Sequence, residues 1–271
     1  MLLFINDVGL FFRDKQMKNK RLDLIDTLRG LAVISMIGFH ACWIINLFRL
    51  AFTDEIITGP AFMIWERSIC MSFILISGFS FSLGRRHLRS GLVIFGLGLV
   101  ITVVTVTVVP EIRIVFGVLT FLGTATLLMI PADKVLGGCK TKSRAFIISG
   151  LIISLAFFLF TYNINKGFLG AENFARIDLP KGLYNGYIAT FIGFTQKGFV
   201  SADYFSLIPW FFLYLCGYFI HKLVKGTSFE NNYLTRGIPG IAFIGRHSLL
   251  IYIIHPVVLY VLIYMLSLRV R

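Results

Sequence analysis

Charged side chains are scarce in this chain of 271 residues, and acidic ones are scarcer than basic ones. They make up 14% of the residues, whereas soluble domains average about 25%. Hydrophobic residues make up 57%, and the mean hydropathy is +0.83. This balance excludes an ordinary soluble enzyme and predicts an integral membrane protein.

Closely spaced cysteines and the familiar catalytic signatures are also lacking. The sequence contains no CxxC spacing and no Cys/His cluster, so we expect free thiols, no disulfide and no metal site. No Walker, HExxH or GxGxxG motif occurs, and "GFSFSLG" fails the GxSxG pattern because Ser82 stands in place of the final glycine. These absences exclude the common P-loop, zinc protease, dinucleotide and serine hydrolase sites. The four cysteines are Cys42, Cys70, Cys139 and Cys216.

The shortage of acids leaves 13 Asp and Glu against 26 Lys and Arg, a net charge of +13. A charge of this size can mark a nucleic-acid-binding protein. Here the basic residues are spread between apolar runs and form no single patch, so no nucleic-acid partner is expected. Membrane topology explains their distribution better.

Seven apolar runs have the length of a membrane-spanning helix, about 17–25 residues. We therefore predict an all-α, polytopic transmembrane bundle that forms a single domain over 1–271. No internal repeat is found, so the inverted halves of many secondary transporters are not indicated. The runs lie near 27–48, 61–83, 91–109, 114–130, 145–161, 206–221 and 240–266.

The basic residues predict an orientation. Of the 26 Lys and Arg, 17 fall on the side of the N-terminus, 8 fall on the opposite side, and Arg67 lies inside the second run. The positive-inside rule then places the N-terminal segment 1–23 in the cytoplasm and, with an odd number of spans, the C-terminus outside. No cleavable signal is visible, so we expect the first run to be retained in a prokaryotic cell membrane. The longest connection, 162–205, is then extracytoplasmic, and its "LYNGYIATFIGF" stretch is typical of an interfacial or re-entrant segment.

The first run, "RLDLIDTLRGLAVISMIGFH", places charged groups and a histidine in a membrane helix. The spacing from Arg29 to His40 is about 20° around a helix and about 16 Å along it, so the two share one face. With Arg29 at the cytoplasmic interface, His40 lies near mid-bilayer. Asp26 precedes Arg29 by one turn and is predicted to pair with it.

Two interpretations of His40 are open. In soluble cores such a histidine is usually a neutral imidazole that is hydrogen-bonded to a neighbouring helix. At this depth in a membrane, ionisable groups tend to mark a pathway or a reaction centre, which favours a functional role for His40.

The last run, "GRHSLLIYIIHPVVLY", carries a second polar face. Ser248, Tyr252 and His255 fall within about 40° of one stripe. We assign Ser248 and Tyr252 to helix packing, whereas for His255 packing and function are equal alternatives. Pro256 removes a helical donor and frees a carbonyl beside His255.

Five further polar residues invite an interpretation. Arg246 and His247, at the cytoplasmic start of the last run, suit a lipid phosphate, a nucleotide diphosphate or headgroup water. Asp203 is predicted at the extracytoplasmic surface, where it accepts a hydrogen bond from a histidine or a sugar hydroxyl, or caps the sixth helix. Glu66 and Arg67 are expected to form a structural pair.

Four stretches, taken together and in this order, resemble the heparan-alpha-glucosaminide N-acetyltransferase-like family of membrane acyltransferases. The stretches are "RLDLIDTLRGLAVISMIGFH", "ISGFSFSLGRR", "SADYFSLIPWFFLYLCGY" and "GRHSLLIYIIHPVV". Ser206 follows "DYF" where the family commonly has proline, but Asp203 and Trp210 are in place.

The resemblance implies transfer of an acetyl group from cytoplasmic acetyl-CoA to an amino or hydroxyl group of a sugar on the far side of the membrane. It implies that His40 is the reactive histidine, that Asp203 and His255 lie on the acceptor side, and that Arg29 belongs to the acyl-CoA side. We group Asp26, Arg246 and His247 with Arg29 as candidate acetyl-CoA ligands. His40 would act as a general base or as a nucleophile.

Two alternatives to an acyltransferase remain. One is a small proton-coupled transporter in which two histidines relay protons, and the other is an assembly partner whose polar residues only pack. The expected partners are acetyl-CoA, a carbohydrate acceptor and membrane lipids, and a homo-oligomer is left open.

Overall fold

The computed structural model describes residues 22–137, 143–172 and 174–270. Within these ranges seven helices are long and apolar enough to cross a membrane, which confirms the predicted all-α bundle. Most of the predicted N-terminal segment 1–23, and Cys139, lie outside the described residues. The spanning helices are α1 (Asp23–Leu47), α3 (Pro60–Phe81), α4 (His87–Val108), α5 (Val118–Gly137), α6 (Arg144–Thr161), α8 (Leu207–Val224) and α10 (Ser248–Val270).

Shorter elements join the spans. An antiparallel two-stranded hairpin and a short helix occupy the long connection between α6 and α8, and the short helix exposes Tyr187 and Ile188 as an interfacial segment would. We call the end of the bundle where α1 begins the near end, and the end where α1 finishes the far end. The shorter elements are α2 (Asp54–Ile57), β1 (Phe168–Ala171), β2 (Phe174–Asp178), α7 (Tyr187–Ile192) and α9 (Pro239–Arg246), with a π-helical turn at Glu230–Leu234.

The boundaries of two spans differ from the sequence-based prediction. The fourth begins at Val118 and not near 114, because the preceding residues are held in extended backbone contacts with the segment before α8. The predicted run 240–266 is two helices, since α9 ends at Arg246 and α10 begins at Ser248. At the break, the His247 amide donates to the Ile244 carbonyl, a tighter turn than an α-helix makes.

Glycines allow the closest helix contacts. A Cβ on Gly78 of α3 would lie 1.9 Å from the Tyr214 carbonyl oxygen of α8. A Cβ on Gly245 of α9 would lie 1.8 Å from the Asp26 carbonyl oxygen of α1. In lipid, where little hydrophobic force acts between helices, this close backbone approach provides the van der Waals contact that holds a bundle together.

The main core lies among α3, α5, α6 and α8, and its side chains are aromatic and aliphatic. A second cluster joins α1 to α3 through Val33, Met36 and Ile69, and Ile251 and Tyr252 of α10 pack against it. The second cluster therefore holds α1 and α10 side by side. Fully buried members of the main core include Ile74, Phe121, Met129, Tyr214 and Tyr218.

Candidate active site

Two histidines from opposite ends of the chain meet inside the bundle. His40 of α1 and His255 of α10 face each other with Nδ1 of His40 and Nε2 of His255 3.0 Å apart. Their ring centroids are 4.9 Å apart. His255 is buried, with 6% of its surface exposed, whereas His40 is partly open. His40 is therefore the more accessible of the two histidines.

The hydrogen bonds of this histidine pair define which nitrogens carry protons. Nδ1 of His255 lies 3.0 Å from the Ile251 carbonyl oxygen, which can only accept, so this nitrogen carries the hydrogen. In a neutral imidazole the other nitrogen, Nε2, is then an acceptor, and Nδ1–H of His40 donates to it. The lone pair of His40 is left on Nε2, on the edge of the ring turned away from His255.

The opposite face of α1 is held by aromatic residues of α3. The indole nitrogen of Trp65 donates to Ser35, five residues before His40, at 2.8 Å. Phe39 contacts the rings of both His40 and Trp65 edge to face. These contacts fix the rotation of α1, and so the direction in which His40 points.

Asp203 lies inside the bundle and not at the surface where the sequence predicted it. The chain before α8 runs beside the chain before α5, with backbone bonds from Ala202 to Arg113 and from Phe205 to Phe116. This pairing carries Asp203 inward, to the level of Gly98 near the middle of α4. The carboxylate caps α5, because Oδ2 accepts the Val118 amide at 3.0 Å.

Asp203 is linked to the same helix that carries His255. The Tyr252 hydroxyl donates to Oδ2 of Asp203 at 3.3 Å, and the rings of Tyr252 and His255 are 5.9 Å apart. Burial raises the pKa of the Asp203 carboxyl, although the bonds from Val118 and Tyr252 work against that rise. Tyr252 and His255, two members of the predicted polar stripe of α10, therefore lie together, and Tyr252 contacts Asp203 in addition to its packing.

A cavity of about 10 Å³ lies between Asp203, Tyr252 and Thr120, room for about one water molecule. The Thr120 hydroxyl oxygen is buried and has no hydrogen-bond partner among the described residues. A buried hydroxyl without a partner is unfavourable in the protein interior. This position therefore suits a polar group or a water molecule.

Glu66 and Arg67 do not form the expected pair. Arg67 donates to the Tyr162 hydroxyl at the far end of α6 and lies over its ring. The charge of Glu66 acts on that of Asp203 and on Cys70 one turn along α3. Its carboxylate is exposed, and no hydrogen bond or ion pair joins it to another described residue.

The predicted pair at the near end of α1 is confirmed. Nη1 of Arg29 lies 3.3 Å from Oδ1 of Asp26. Sequence reasoning missed the second partner, Ser80 of α3, whose hydroxyl oxygen accepts from Nη2 of Arg29 at 2.7 Å. Ser80 sits within "GFSFSLG", a stretch that gave no signal of contact with α1.

Arg246 and His247 stand at the break between α9 and α10. Each bonds within its own segment, Arg246 to the Ala242 carbonyl at 3.2 Å and His247 to the Phe243 carbonyl at 2.9 Å. The preceding residue, Gly245, packs on the backbone of Asp26. The four predicted acetyl-CoA ligands therefore belong to one end of the bundle, and the two histidines lie deeper inside it.

Comparison with known proteins identifies one family. The family model described as heparan-alpha-glucosaminide N-acetyltransferase, catalytic, matches residues 21–257. No curated protein and no solved structure matches the chain.

Proposed function

Because this chain belongs to the family of heparan-alpha-glucosaminide N-acetyltransferase catalytic domains, a family of membrane acetyltransferases, we propose that it transfers an acetyl group from acetyl-CoA to a sugar on the opposite side of the membrane. The observation that carries this proposal is the pair formed by His40 and His255 inside the bundle. Placing two ionisable side chains at this depth in a membrane costs free energy. Such a pair is therefore more typical of a reaction centre than of a packing contact.

The orientation of the reaction follows from the basic residues. With the near end in the cytoplasm, as the positive-inside rule favours, Arg29, Asp26, Arg246 and His247 face the compartment that holds acetyl-CoA. Guanidinium groups suit the phosphates of that substrate. Asp203 and Glu66 then lie on the path from the extracytoplasmic side. His40 is the group that a donor from one side and an acceptor from the other can both reach.

His40 acts through its Nε2 lone pair. As a general base, Nε2 takes a proton from the acceptor nitrogen or oxygen while that atom forms a bond to the thioester carbonyl carbon. The carbon–sulfur bond breaks, and the CoA thiolate leaves and collects the proton from His40. As a nucleophile, the same lone pair would first bond to the carbonyl carbon and then pass the acetyl group to the acceptor.

His255 serves both routes as a positioning residue. It holds Nδ1–H of His40, which keeps the lone pair on the reactive Nε2. When His40 gains a proton or an acetyl group, the positive charge is shared across the 3.0 Å hydrogen bond. The fixed hydrogen bond from His255 to Ile251 keeps this acceptor nitrogen in place.

The acceptor side favours an amine. The charges of Glu66 and Asp203 act on each other. Two carboxylates that repel each other would hold a cationic amino group better than a neutral hydroxyl, and the bound ammonium passes one proton to a carboxylate before its lone pair attacks the thioester. We therefore propose an amino sugar as the acceptor in preference to a hydroxyl.

The test uses purified protein in lipid nanodiscs with acetyl-CoA labelled in the acetyl group and glucosamine as acceptor. Wild-type protein is expected to release CoA and form N-acetylglucosamine, and His40→Ala is expected to form none while keeping the thermal unfolding midpoint of the wild type. Acetyl-protein trapped without acceptor would select the nucleophilic route. If well-folded wild type neither binds nor cleaves acetyl-CoA, the proposal fails, and proton flux in proteoliposomes would then favour the transporter.

A further inference from the structure

The small cavity beside Asp203 lies where four segments of the bundle meet. Its volume is about 10 Å³, room for about one water molecule. Its oxygen-bearing side chains are Asp203 from the segment before α8, Thr120 of α5 and Tyr252 of α10. Gly98 of α4 and Gly117, just before α5, also line it. An occupant of this cavity would therefore contact α4, α5, α10 and the segment before α8 at once.

The two glycines leave oxygen atoms of the cavity uncovered. A Cβ on Gly117 would lie 2.8 Å from Oδ2 of Asp203, and a Cβ on Gly98 would lie 2.6 Å from the hydroxyl oxygen of Thr120. Both distances are shorter than the contacts that a Cβ makes in proteins. Side chains at these two positions would fill the space beside the oxygen atoms, so the cavity depends on both glycines.

The Thr120 hydroxyl is the polar group of the cavity that the protein leaves unsatisfied. Thr120 is 3% exposed, and its hydroxyl oxygen has no hydrogen-bond partner among the described residues. A buried hydroxyl without a partner is unfavourable. An occupant that bonds to the Thr120 oxygen would remove this cost.

The charge at the cavity is negative and lacks a cationic partner. No ion pair joins Asp203 to another residue in the part of the chain that the structure describes. Its Oδ2 accepts from the Val118 amide at 3.0 Å and from the Tyr252 hydroxyl at 3.3 Å, which are both neutral donors. The charge of Glu66 acts on that of Asp203 and adds to the negative potential. Because buried charges in proteins are paired, this cavity favours a cation over a water molecule.

We propose that this cavity binds a sodium ion, with Asp203, Thr120 and Tyr252 as its oxygen ligands. Carboxylate and hydroxyl oxygens suit a hard cation. Ca²⁺ takes about six to eight oxygen ligands and Mg²⁺ keeps several of its waters, which is more than a cavity of this size holds. A single carboxylate also balances a single charge, and the small volume favours Na⁺ over the larger K⁺. The described residues contain no group of three or more His, Cys, Asp or Glu that could hold a metal ion, so a transition metal is not indicated.

The ion would act on stability, because it ties together segments that are distant in the sequence. Asp203 is partly exposed and its neighbour Ala202 is exposed, so the cavity lies close to the protein surface. The ion also screens the charge that attracts the proposed amine acceptor. Binding of sodium and binding of a cationic acceptor therefore oppose each other.

The test measures the thermal unfolding midpoint of the protein in phosphatidylcholine nanodiscs at about pH 8, where a carboxylate is ionised. The buffer contains NaCl, KCl or N-methylglucamine chloride at equal concentration. In wild type, Na⁺ is expected to raise the midpoint above its value with either other cation, and the rise should saturate with concentration. Saturable binding of radioactive sodium measures the site directly. Equal midpoints in the three salts without such binding would show that the cavity holds only water, and an equal rise in NaCl and KCl would show a general salt effect. Either result would overturn the inference.

Two variants of α5 locate the site. Thr120→Val keeps the shape and removes the hydroxyl, and it is expected to weaken sodium binding at least about tenfold. Because it also removes an unsatisfied hydroxyl, its midpoint in N-methylglucamine chloride should be equal to that of wild type or higher, which shows that it folds. Thr124→Val is the matched control one turn along α5, since the Thr124 hydroxyl bonds to the Thr120 carbonyl and lies outside the cavity. Unchanged sodium binding in Thr120→Val, or an equal loss in both variants, would overturn the site whether or not the protein transfers acetyl groups.

Discussion

His40 and His255 are 215 positions apart in the chain, yet their imidazole nitrogens are 3.0 Å apart in the bundle. His40 is partly exposed, whereas His255 is buried and fixed by a backbone carbonyl. The pair therefore divides one task between two residues. His40 meets the reacting atoms, and His255 sets the proton position that makes His40 a base.

The first prediction concerns that division. His40→Ala is expected to lower kcat by a factor of about 10²–10⁴, the usual contribution of a general base. His255→Ala is expected to lower kcat less and to leave the KM for acetyl-CoA unchanged, because His255 touches neither substrate. Single-turnover transfer from labelled acetyl-CoA measures both.

His87→Ala is the control for this pair, since His87 stacks on Phe81 at the near end of the bundle, outside the site. A loss of kcat in His87→Ala equal to that in His40→Ala would indicate a general effect of removing a histidine, and would contradict the assignment.

The sequence predicted those parts of the site that depend on helical geometry alone. Arg29 and His40 share a face because both lie on one uninterrupted helix. Asp26 and Arg29, which pair, are one helical turn apart in the sequence. Tyr252 and His255, whose rings are neighbours, are likewise one turn apart. For such contacts the period of the helix is sufficient information.

Contacts between distant segments could not be predicted in the same way. Asp203 is drawn into the bundle by backbone bonds to the chain before α5, and backbone bonds leave no residue signature. The partner of Arg67 is Tyr162, about 95 positions away, and not its neighbour Glu66. The break at His247 is also tertiary, because α9 is held against α1 through Gly245.

The second prediction concerns pH and Asp203. Burial raises the pKa of this carboxyl in the folded protein above its value in the unfolded chain. Between the two values the folded state holds more protons, so stability falls as pH rises through this window. Asp203→Asn removes the titration. The unfolding midpoint of Asp203→Asn is therefore expected to rise relative to that of wild type as pH rises.

Thermal unfolding in nanodiscs from about pH 4 upward measures this difference. Subtraction of the two curves cancels the other titrating groups. A difference that is flat with pH, or that moves in favour of wild type, would contradict the burial of Asp203.

The third prediction concerns helix packing. Gly78→Ala places a methyl group against the Tyr214 carbonyl and is expected to destabilise the bundle by about 1–3 kcal/mol, as overpacking does. Gly96→Ala is the control within a span, because a Cβ there meets nothing within 4 Å. In an unfolding titration in mixed detergent, the unfolding midpoint of Gly78→Ala is expected to be lower than that of wild type. The midpoint of Gly96→Ala is expected to be equal to that of wild type or higher. Equal effects of the two changes would contradict the contact of α3 with α8.

The fourth prediction concerns the near end. Arg29 bonds to Asp26 and Ser80 with separate nitrogens, an arrangement that the single ammonium of lysine cannot reproduce. Arg29→Lys is therefore expected to weaken acetyl-CoA binding, measured by calorimetry as Kd. Ser80→Ala removes one bond and keeps the charge, so its Kd should lie between those of wild type and Arg29→Lys. An unchanged Kd in Arg29→Lys would remove Arg29 from the donor site.

The last prediction tests whether the acceptor is an amine. Glu66 is exposed, its charge acts on that of Asp203, and it has no hydrogen bond or ion pair to another described residue, so its charge is available to a ligand. Glu66→Gln keeps the shape and removes the charge, and is expected to raise the KM for an amino sugar several-fold while the Kd of acetyl-CoA stays the same.

Glu111→Gln is the matched control, an exposed acid in the far-end connection between α4 and α5. If the acceptor is a neutral hydroxyl, Glu66→Gln relieves repulsion with Asp203 and costs nothing in KM. A KM that is unchanged or lower in Glu66→Gln would therefore reject the amine and favour transfer to oxygen.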